Sequence, residues 1–269
     1  MIKCNDWPIG VCTWSLGNDF DRLGALREQS ELSHIHFAVS PILNKNGEDH
    51  LLRVQKEGWE ITATMIDFPQ EDYSSLESIK ATGGIVPDES WEGNLKRVSG
   101  AIDITAELGV KHLSLHFGFL ETGAGKLADR AKILADKASQ KNIQLLMETG
   151  QETATELQQF LEELDHPALG INFDPANMIL YDKGNPIESV QTLAGWIKHV
   201  HIKDAIRSKV PGMWGVEVPW GAGQAGGGEF LKALKQINFV GALAIEREAG
   251  DDRLGDIKTA VEALNAFTG

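Results

Sequence analysis

Acidic side chains and one histidine stand where four short apolar runs of the sequence end. The runs IQLLMET, LGINFD, KHVHIKD and ALAIERE carry Glu148, Asp174, His201 and Glu246. Three carboxylates gathered in a buried place would repel one another, because an unpaired buried charge costs several kcal/mol. A divalent cation removes this repulsion, and three oxygen ligands with one nitrogen suit Mn²⁺, Mg²⁺, Co²⁺ or Zn²⁺. The four residues therefore form a candidate site for one divalent metal ion, with Mn²⁺ as the first choice and with open positions for a substrate.

The elements that must position these residues alternate along the chain. Short β-rich runs are predicted at 9–15, 34–40, 60–67, 111–117, 143–149, 169–174, 198–204 and 242–248. Segments with helical periodicity follow at about 19–31, 47–57, 91–108, 125–140, 153–164, 184–195, 228–236 and 254–267. Strands that alternate with helices predict right-handed crossovers and a parallel sheet. Eight such units predict a single α/β domain over 1–269, a closed (β/α)₈ TIM barrel.

A doubly wound open sheet is the structural alternative to the barrel. That fold usually carries a G-x-G-x-x-G turn after its first strand, and CTWSLGND has none. In a barrel, the carboxyl ends of the strands meet at one mouth, where active sites lie. Residues two positions before the acids, such as Leu146, Asn172 and Ala244, are apolar or modestly polar and suit the barrel interior. His199 has the same phase as His201, and we expect it to be buried and hydrogen-bonded below the site.

Composition limits the partners of the protein. The chain has 25 basic and 39 acidic residues and a formal charge of −14, which disfavours nucleic-acid and membrane-surface partners. No apolar run approaches the ~20 residues that span a bilayer. The start of the chain shows no signal-peptide pattern, and Cys4 and Cys12 are expected to be reduced thiols. These features predict a cytoplasmic protein with a small-molecule substrate, and they leave homo-oligomer formation open.

Two long connections, 68–90 and 205–227, follow the third and seventh predicted strands and would lie at the same mouth. Long loops in a compact domain are usually functional or mobile. The glycine-rich stretch GAGQAGGGEF (221–230) opens a predicted helix. It could hold an anion through its N–H groups, although we expect its glycines mainly to provide loop flexibility.

The ordered motifs LLMETG, NFDPANM, HVHIKDAIR and LAIERE resemble those of the xylose isomerase-like barrels, the sugar isomerase and epimerase group that also contains the endonuclease IV branch. The resemblance implies that one metal ion holds a vicinal hydroxy-ketone of a sugar. It also implies that Glu148 and Glu246 act as an acid–base pair, which transfers a proton through an enediolate. We therefore expect a metal-dependent sugar isomerase or epimerase.

The same resemblance implies a set of substrate-binding residues, which are Trp14, His116, Asn177, Lys203 and Arg207. One of these positions departs from the family pattern. Many relatives carry a histidine three residues after the aspartate, where this chain has Asn177. The branch that acts on DNA uses such extra histidines, so this departure also argues against a nucleic-acid substrate.

Two alternatives remain at this stage. A lyase or dehydratase acting on a keto-inositol or a 3-keto-glycoside would use the same metal site and the same first proton abstraction. A non-catalytic sugar-binding barrel would not need all four ligand residues. The sequence does not specify the sugar, its phosphorylation or the native metal.

Overall fold

Eight parallel strands close into a barrel in the structure, a computed structural model that describes residues 3–44, 47–122 and 124–268. The strands are β1 Trp7–Cys12, β2 His34–Ala38, β3 Glu60–Ile66, β4 His112–Leu115, β5 Gln144–Glu148, β6 Leu169–Phe173, β7 Ile197–Ile202 and β8 Ala242–Ile245. Each strand pairs in parallel with the next along the chain, and β8 pairs with β1. The predicted (β/α)₈ barrel is therefore confirmed.

At least one helix follows each barrel strand, as the alternation predicts. The helices are Phe20–Ser30, Ser40–Leu43, Glu48–Glu57, Leu76–Thr82, Asp88–Glu107, Ala124–Ser139, Ala154–Leu164, Pro175–Leu180, Pro186–Thr192, Gly227–Gln236 and Arg253–Asn265. The helix after β5 begins with a capping box, in which Thr153 and Glu156 each bind the other's backbone N–H. No helix in the described ranges is both long enough and apolar enough to span a bilayer.

The two long connections contain structure of their own. The helix Leu76–Thr82 lies within 68–90, and the strands Asp204–Ile206 and Val216–Val218 pair as an antiparallel hairpin that begins at the start of the second connection. The short helix Pro175–Leu180 directly follows β6 and was not predicted from the periodicity, because six residues are too few to show one. All three elements stand at the carboxyl ends of their strands, where they shape the barrel mouth.

Asp204 organises the glycine-rich segment after the hairpin. Its carboxylate accepts hydrogen bonds from the N–H groups of Gly221, Gly223 and Ala225 at 3.0, 3.0 and 2.8 Å. A Cβ atom at Gly223 would lie 2.3 Å from Asp204 Oδ1, so this close approach requires glycine. Three of the N–H groups that could have held an anion are therefore bound to a carboxylate of the chain itself.

The barrel interior is polar, whereas the layer between strands and helices is apolar. Fully buried residues such as Ile9, Phe37 and Phe173 form the outer core. Inside the barrel, His199 Nδ1 lies 2.9 Å from Asn172 Oδ1, and His199 Nε2 lies 3.0 Å from Thr62 Oγ1. Both ring nitrogens are thus satisfied, as buried polar groups require, and the prediction for His199 is confirmed.

Candidate metal centre and active site

Four side chains from consecutive strand ends converge at the mouth of the barrel. They are Glu148 at the end of β5, Asp174 and Glu246 just after β6 and β8, and His201 near the end of β7. All four are buried, and one potential ligand atom from each lies within 4.8 Å of the others. The alternation of side chains along each strand places these residues on the inner face, as the sequence pattern predicts.

Asp174 uses its two carboxylate oxygens for different purposes. Oδ1 accepts hydrogen bonds from Ala176 N at 2.8 Å and Asn177 N at 3.0 Å, which caps the helix Pro175–Leu180. Oδ2 is buried without a hydrogen-bond partner among the described residues. The chain therefore fixes the carboxylate through one oxygen and leaves the other directed to the site.

The orientation of His201 is set by a second histidine, His36 on β2. His36 Nε2 lies 3.1 Å from the carbonyl oxygen of Thr64, which can only accept, so this nitrogen carries the hydrogen. Burial and the neighbouring His201 lower the pKa of His36 to about 3, so its Nδ1 is an acceptor. His36 Nδ1 lies 2.9 Å from His201 Nε2, which therefore donates. Burial alone would lower the pKa of His201, but Cys12, Glu246 and Glu148 outweigh it and hold that pKa well above its usual value, so a cation at Nδ1 displaces a proton.

The other ring nitrogen of His201, Nδ1, faces the acids. His201 Nδ1 lies 2.9 Å from Glu148 Oε1, 3.6 Å from Asp174 Oδ2 and 3.1 Å from Glu246 Oε2. Glu246 Oε2, like Asp174 Oδ2, is buried without a hydrogen-bond partner in the described ranges. Lys203 Nζ lies 3.1 Å from Glu246 Oε2, but without hydrogen-bond geometry. Two buried carboxylate oxygens without a hydrogen-bond partner and one imidazole nitrogen meet at one point, a donor set that fits a divalent cation in place of the His201 proton.

The second carboxylate oxygen of Glu148, Oε2, takes part in a polar cluster with His116 and with two residues of the loop after β3. Glu148 Oε2 lies 2.9 Å from His116 Nε2, and His116 Nδ1 lies 2.8 Å from the Tyr73 hydroxyl and 3.3 Å from a Glu71 oxygen. Burial alone would lower the pKa of His116, but Glu71 and Glu148 outweigh it and hold that pKa well above its usual value. His116 therefore lies between two glutamates whose charges favour its protonated form.

Glu246 is held in a similar way from the other side of the mouth. Trp14 Nε1 donates to Glu246 Oε1 at 2.6 Å, so the two oxygens of Glu246 are again divided between a donor and the ligand site. Lys203 Nζ lies 2.8 Å from Glu248 Oε2. Each of the two glutamates thus has one oxygen at the proposed metal position and one oxygen in contact with a side chain that lines the cavity.

The site opens into a cavity of about 1180 Å³. Among the residues predicted to bind substrate, Trp14, His116, Asn177 and Lys203 line this cavity. Arg207 does not line it. Its guanidinium pairs with Asp182 and donates to the carbonyl of Gly184 at 2.7 Å, which ties the hairpin to the loop after β6.

Several cavity residues were not found from the sequence. Glu71, Tyr73 and Trp214 come from the long connections, where no periodicity indicates which side chains face the mouth. His36 was also missed, although the alternating histidines of HIHFA on a predicted strand were a usable signal. A histidine in phase with a polar barrel interior is a natural partner for a metal-binding histidine.

Glu152, in the segment after β5, is buried and its carboxylate accepts a hydrogen bond from Leu120 N at 3.2 Å. Burial raises the pKa of Glu152 to about 8. Below pH 4.5 the proton is bound in both the folded and unfolded chain, and the stabilising contribution is fully present. As the pH rises from 4.5 to about 8, this contribution to the free energy of unfolding is lost, and the loss is about 5 kcal/mol.

We therefore expect Glu152→Gln to flatten the pH dependence of stability. Urea unfolding between pH 5 and pH 9 should show the wild-type protein losing stability with rising pH and the variant losing much less. Glu162→Gln, on the exposed face of the next helix, is the matched control and should follow the wild type. Parallel curves for Glu152→Gln and wild type would rule out a buried neutral Glu152.

Comparison with known proteins agrees with this architecture. The family model described as xylose isomerase-like TIM barrel matches residues 53–267. A xylose isomerase domain protein from Planctomyces limnophilus is 30% identical, with 97% of each chain covered and a TM-score of 0.87. The chain belongs to the xylose isomerase-like TIM barrel family.

More distant structures share the fold. A xylose isomerase-like TIM barrel protein from Mycobacterium smegmatis in complex with magnesium is 18% identical over 100% of both chains, with a TM-score of 0.72. A 3-keto-D-glucoside 4-epimerase from E. coli is 16% identical, covers 96% of this chain and 99% of its own, and has a TM-score of 0.70. The curated 3-dehydroshikimate dehydratase of Bacillus anthracis is 33% identical over 81 residues, which span 28% of each protein.

Proposed function

We propose that the protein is a divalent-metal-dependent isomerase or epimerase of a keto-sugar. The observation that carries this proposal is the divided use of two carboxylates. Glu148 and Glu246 each present one oxygen to the common ligand site, and a side chain of the cavity wall holds the other oxygen. Two glutamates placed in this way at the ends of β5 and β8 suit removal of a proton from a bound substrate and its return.

Glu148, Asp174, His201 and Glu246 are the residues that would hold the ion. When bound, the ion supplies Lewis-acid stabilisation of the negative charge that develops on the carbonyl oxygen of the substrate. Mn²⁺ is our first choice for the ion. Mg²⁺, Co²⁺ and Zn²⁺ also bind carboxylate oxygens, imidazole nitrogens or both, and they are the alternatives.

The proton transfers belong to the two glutamates. One removes the proton from the carbon next to the carbonyl, and the other returns a proton to the opposite face or to the neighbouring carbon. Each transfer by a positioned carboxylate is worth ~10²–10⁴-fold in rate. Trp14 and His116 hold these carboxylates in place, while Asn177 and Lys203 line the cavity where the hydroxyl groups of the sugar would bind.

A lyase is the second candidate, because His116 is placed to act as an acid. His116 Nε2 contacts the Glu148 carboxylate, and the charge of Glu71 favours the protonated imidazole. After a proton has been removed from the carbon next to the carbonyl, His116 can therefore give a proton to a departing hydroxyl or alkoxide. The partial likeness to a dehydratase is consistent with this candidate.

Incubation of the Mn²⁺-loaded protein with ketohexoses and 3-keto-glycosides in D₂O separates these functions. For an isomerase or epimerase, NMR should show deuterium at the carbon next to the carbonyl together with a new sugar of unchanged composition. Loss of water or of an aglycone indicates the lyase instead. Protein treated with a chelator is the control and should show neither reaction. If the loaded protein binds these sugars without any exchange, the enzymatic proposal is wrong.

A further inference from the structure

The cavity is larger than one sugar ring requires. Pockets of roughly 300–1000 Å³ hold drug-sized ligands, and this cavity measures about 1180 Å³. The ligand site occupies only the floor, where the strands end. One side of the cavity is lined by Leu180, Tyr181 and Trp214, which we name the aromatic wall. It contains none of the residues assigned to proton transfer or to the metal.

The aromatic wall is held in a fixed geometry. The Tyr181 and Trp214 rings lie 4.7 Å apart between centroids at an interplanar angle of 66°. Next to Trp214, the N–H of Gly215 donates to the carbonyl of Leu180 at 3.3 Å. A Cβ atom at Gly215 would lie 2.7 Å from the carbonyl oxygen of Ile206, so the backbone packs closely here. The wall is therefore built before any ligand binds.

Trp214 carries a donor without a partner. Its Nε1 atom is buried and has no hydrogen-bond partner among the described residues. A buried N–H without an acceptor is costly, and buried indoles usually find one. Trp214 is partly exposed and lines the cavity through other atoms of its ring, so the ring is available to a ligand there. An indole also packs well on a flat or apolar ligand face.

Charge pairing indicates that the group bound at this wall is neutral. Outside the ligand site, the charged side chains that line the cavity have partners of opposite charge within the described ranges. These pairs are Asp67–Arg97, Glu71–His116, Glu217–Arg247 and Glu248–Lys203. The glycine-rich segment, whose N–H groups could have held a phosphate, is bound to Asp204 in three places. A phosphate or carboxylate would find no spare cation among these residues.

We propose that the aromatic wall is a second subsite, which binds an uncharged sugar ring or aryl group joined by a glycosidic bond to the reacting keto-sugar. The substrate is then a keto-glycoside, and not a free monosaccharide or a sugar phosphate. This inference rests on the proposed function for the identity of the reacting ring. The subsite itself is a binding property, and it can be tested without turnover.

The test measures binding of unreactive probes to the Mn²⁺-loaded protein by calorimetry. Phenyl β-D-glucopyranoside carries the additional ring, methyl β-D-glucopyranoside lacks it, and D-glucose 6-phosphate carries a charge. We expect the phenyl glucoside to bind at least about tenfold more tightly than the methyl glucoside, and Trp214→Ala to reduce that ratio to about one. Trp214→Phe, which keeps an aromatic face and loses the N–H, should retain part of the ratio and guards against misfolding of the alanine variant.

Met213→Ala, on the exposed neighbour of Trp214, is the matched control and should keep the wild-type ratio. Equal affinity of the wild-type protein for the phenyl and methyl glucosides would overturn the inference, and so would a ratio unchanged in both Trp214 variants. Tighter binding of glucose 6-phosphate than of the methyl glucoside would overturn its uncharged character. Absence of deuterium exchange would count against the proposed function, while the ratio of affinities would still decide the subsite.

Discussion

Replacing Glu246 with Gln should lower kcat by roughly 10³-fold or more, because it removes a proton-transfer group and weakens one ligand of the proposed metal site. The amide cannot accept a proton at neutral pH, and it presents an N–H₂ group where Oε1 accepts from Trp14 or where Oε2 faces the ligand site. The measurement is the turnover of the keto-sugar identified by deuterium exchange, together with metal content determined on the same samples.

Glu248→Gln provides the matched control, since it makes the same chemical change two residues further along. The Glu248 carboxylate is half exposed and pairs with Lys203, so we expect less than about a tenfold change in kcat. Glu246→Asp keeps the negative charge but shortens the side chain. It therefore separates the effect of a displaced metal ligand from the effect of a lost carboxylate charge. A Glu246→Gln enzyme that retains its metal and a tenth of wild-type turnover would refute the assigned role. Unchanged sugar affinity in Glu246→Gln, together with no turnover in the wild-type protein, would instead favour a non-catalytic sugar-binding barrel.

Asp174→Asn should weaken binding of Mn²⁺ by at least about 100-fold while leaving the fold intact. Asparagine caps a helix about as well as aspartate, so its carbonyl oxygen can replace Oδ1 in the bonds to Ala176 N and Asn177 N. Its amide nitrogen then takes the place of Oδ2 and points a donor at the cation site. Calorimetric titration with Mn²⁺ and with Mg²⁺ gives the affinities.

Asp182→Asn is the corresponding control on the surface, where the exposed Asp182 carboxylate pairs with Arg207 of the hairpin. It should bind Mn²⁺ like the wild-type protein. Thermal unfolding of the metal-free proteins should give similar midpoints for wild type and Asp174→Asn, because the cap is preserved. Mn²⁺ affinity within threefold of wild type in Asp174→Asn would exclude this residue as a ligand.

The barrel and the four candidate ligands could be predicted because both depend on regular periods. The alternation of strands and helices defines the closed sheet, and the period of two along each strand brings Glu148, Asp174, His201 and Glu246 to one mouth. The helix Pro175–Leu180 carried a readable signal that was not used, an aspartate before a proline in DPAN.

The remaining features of the site depend on tertiary contacts that no local pattern encodes. Glu71 and Tyr73 contact His116 from the irregular connection 68–90. The sequence of this connection shows no periodicity that would indicate which side chains face the mouth. Arg207 follows a ligand strand closely, yet its side chain turns to Asp182 because a surface partner is available there. Trp214 reaches the cavity only because the hairpin folds back over Leu180.

The capping role of Asp174 links ion coordination to substrate selection. The carboxylate that would bind the ion also begins the helix that leads directly to Leu180 and Tyr181. A small displacement of this one side chain, such as a larger or smaller ion radius would impose, is transmitted along about one and a half turns of rigid backbone to the residues of the aromatic wall. The hairpin that carries Trp214 is joined to the same helix through the Gly215 N–H and the Leu180 carbonyl, so an exchange of the ion is expected to reach every residue of the aromatic wall.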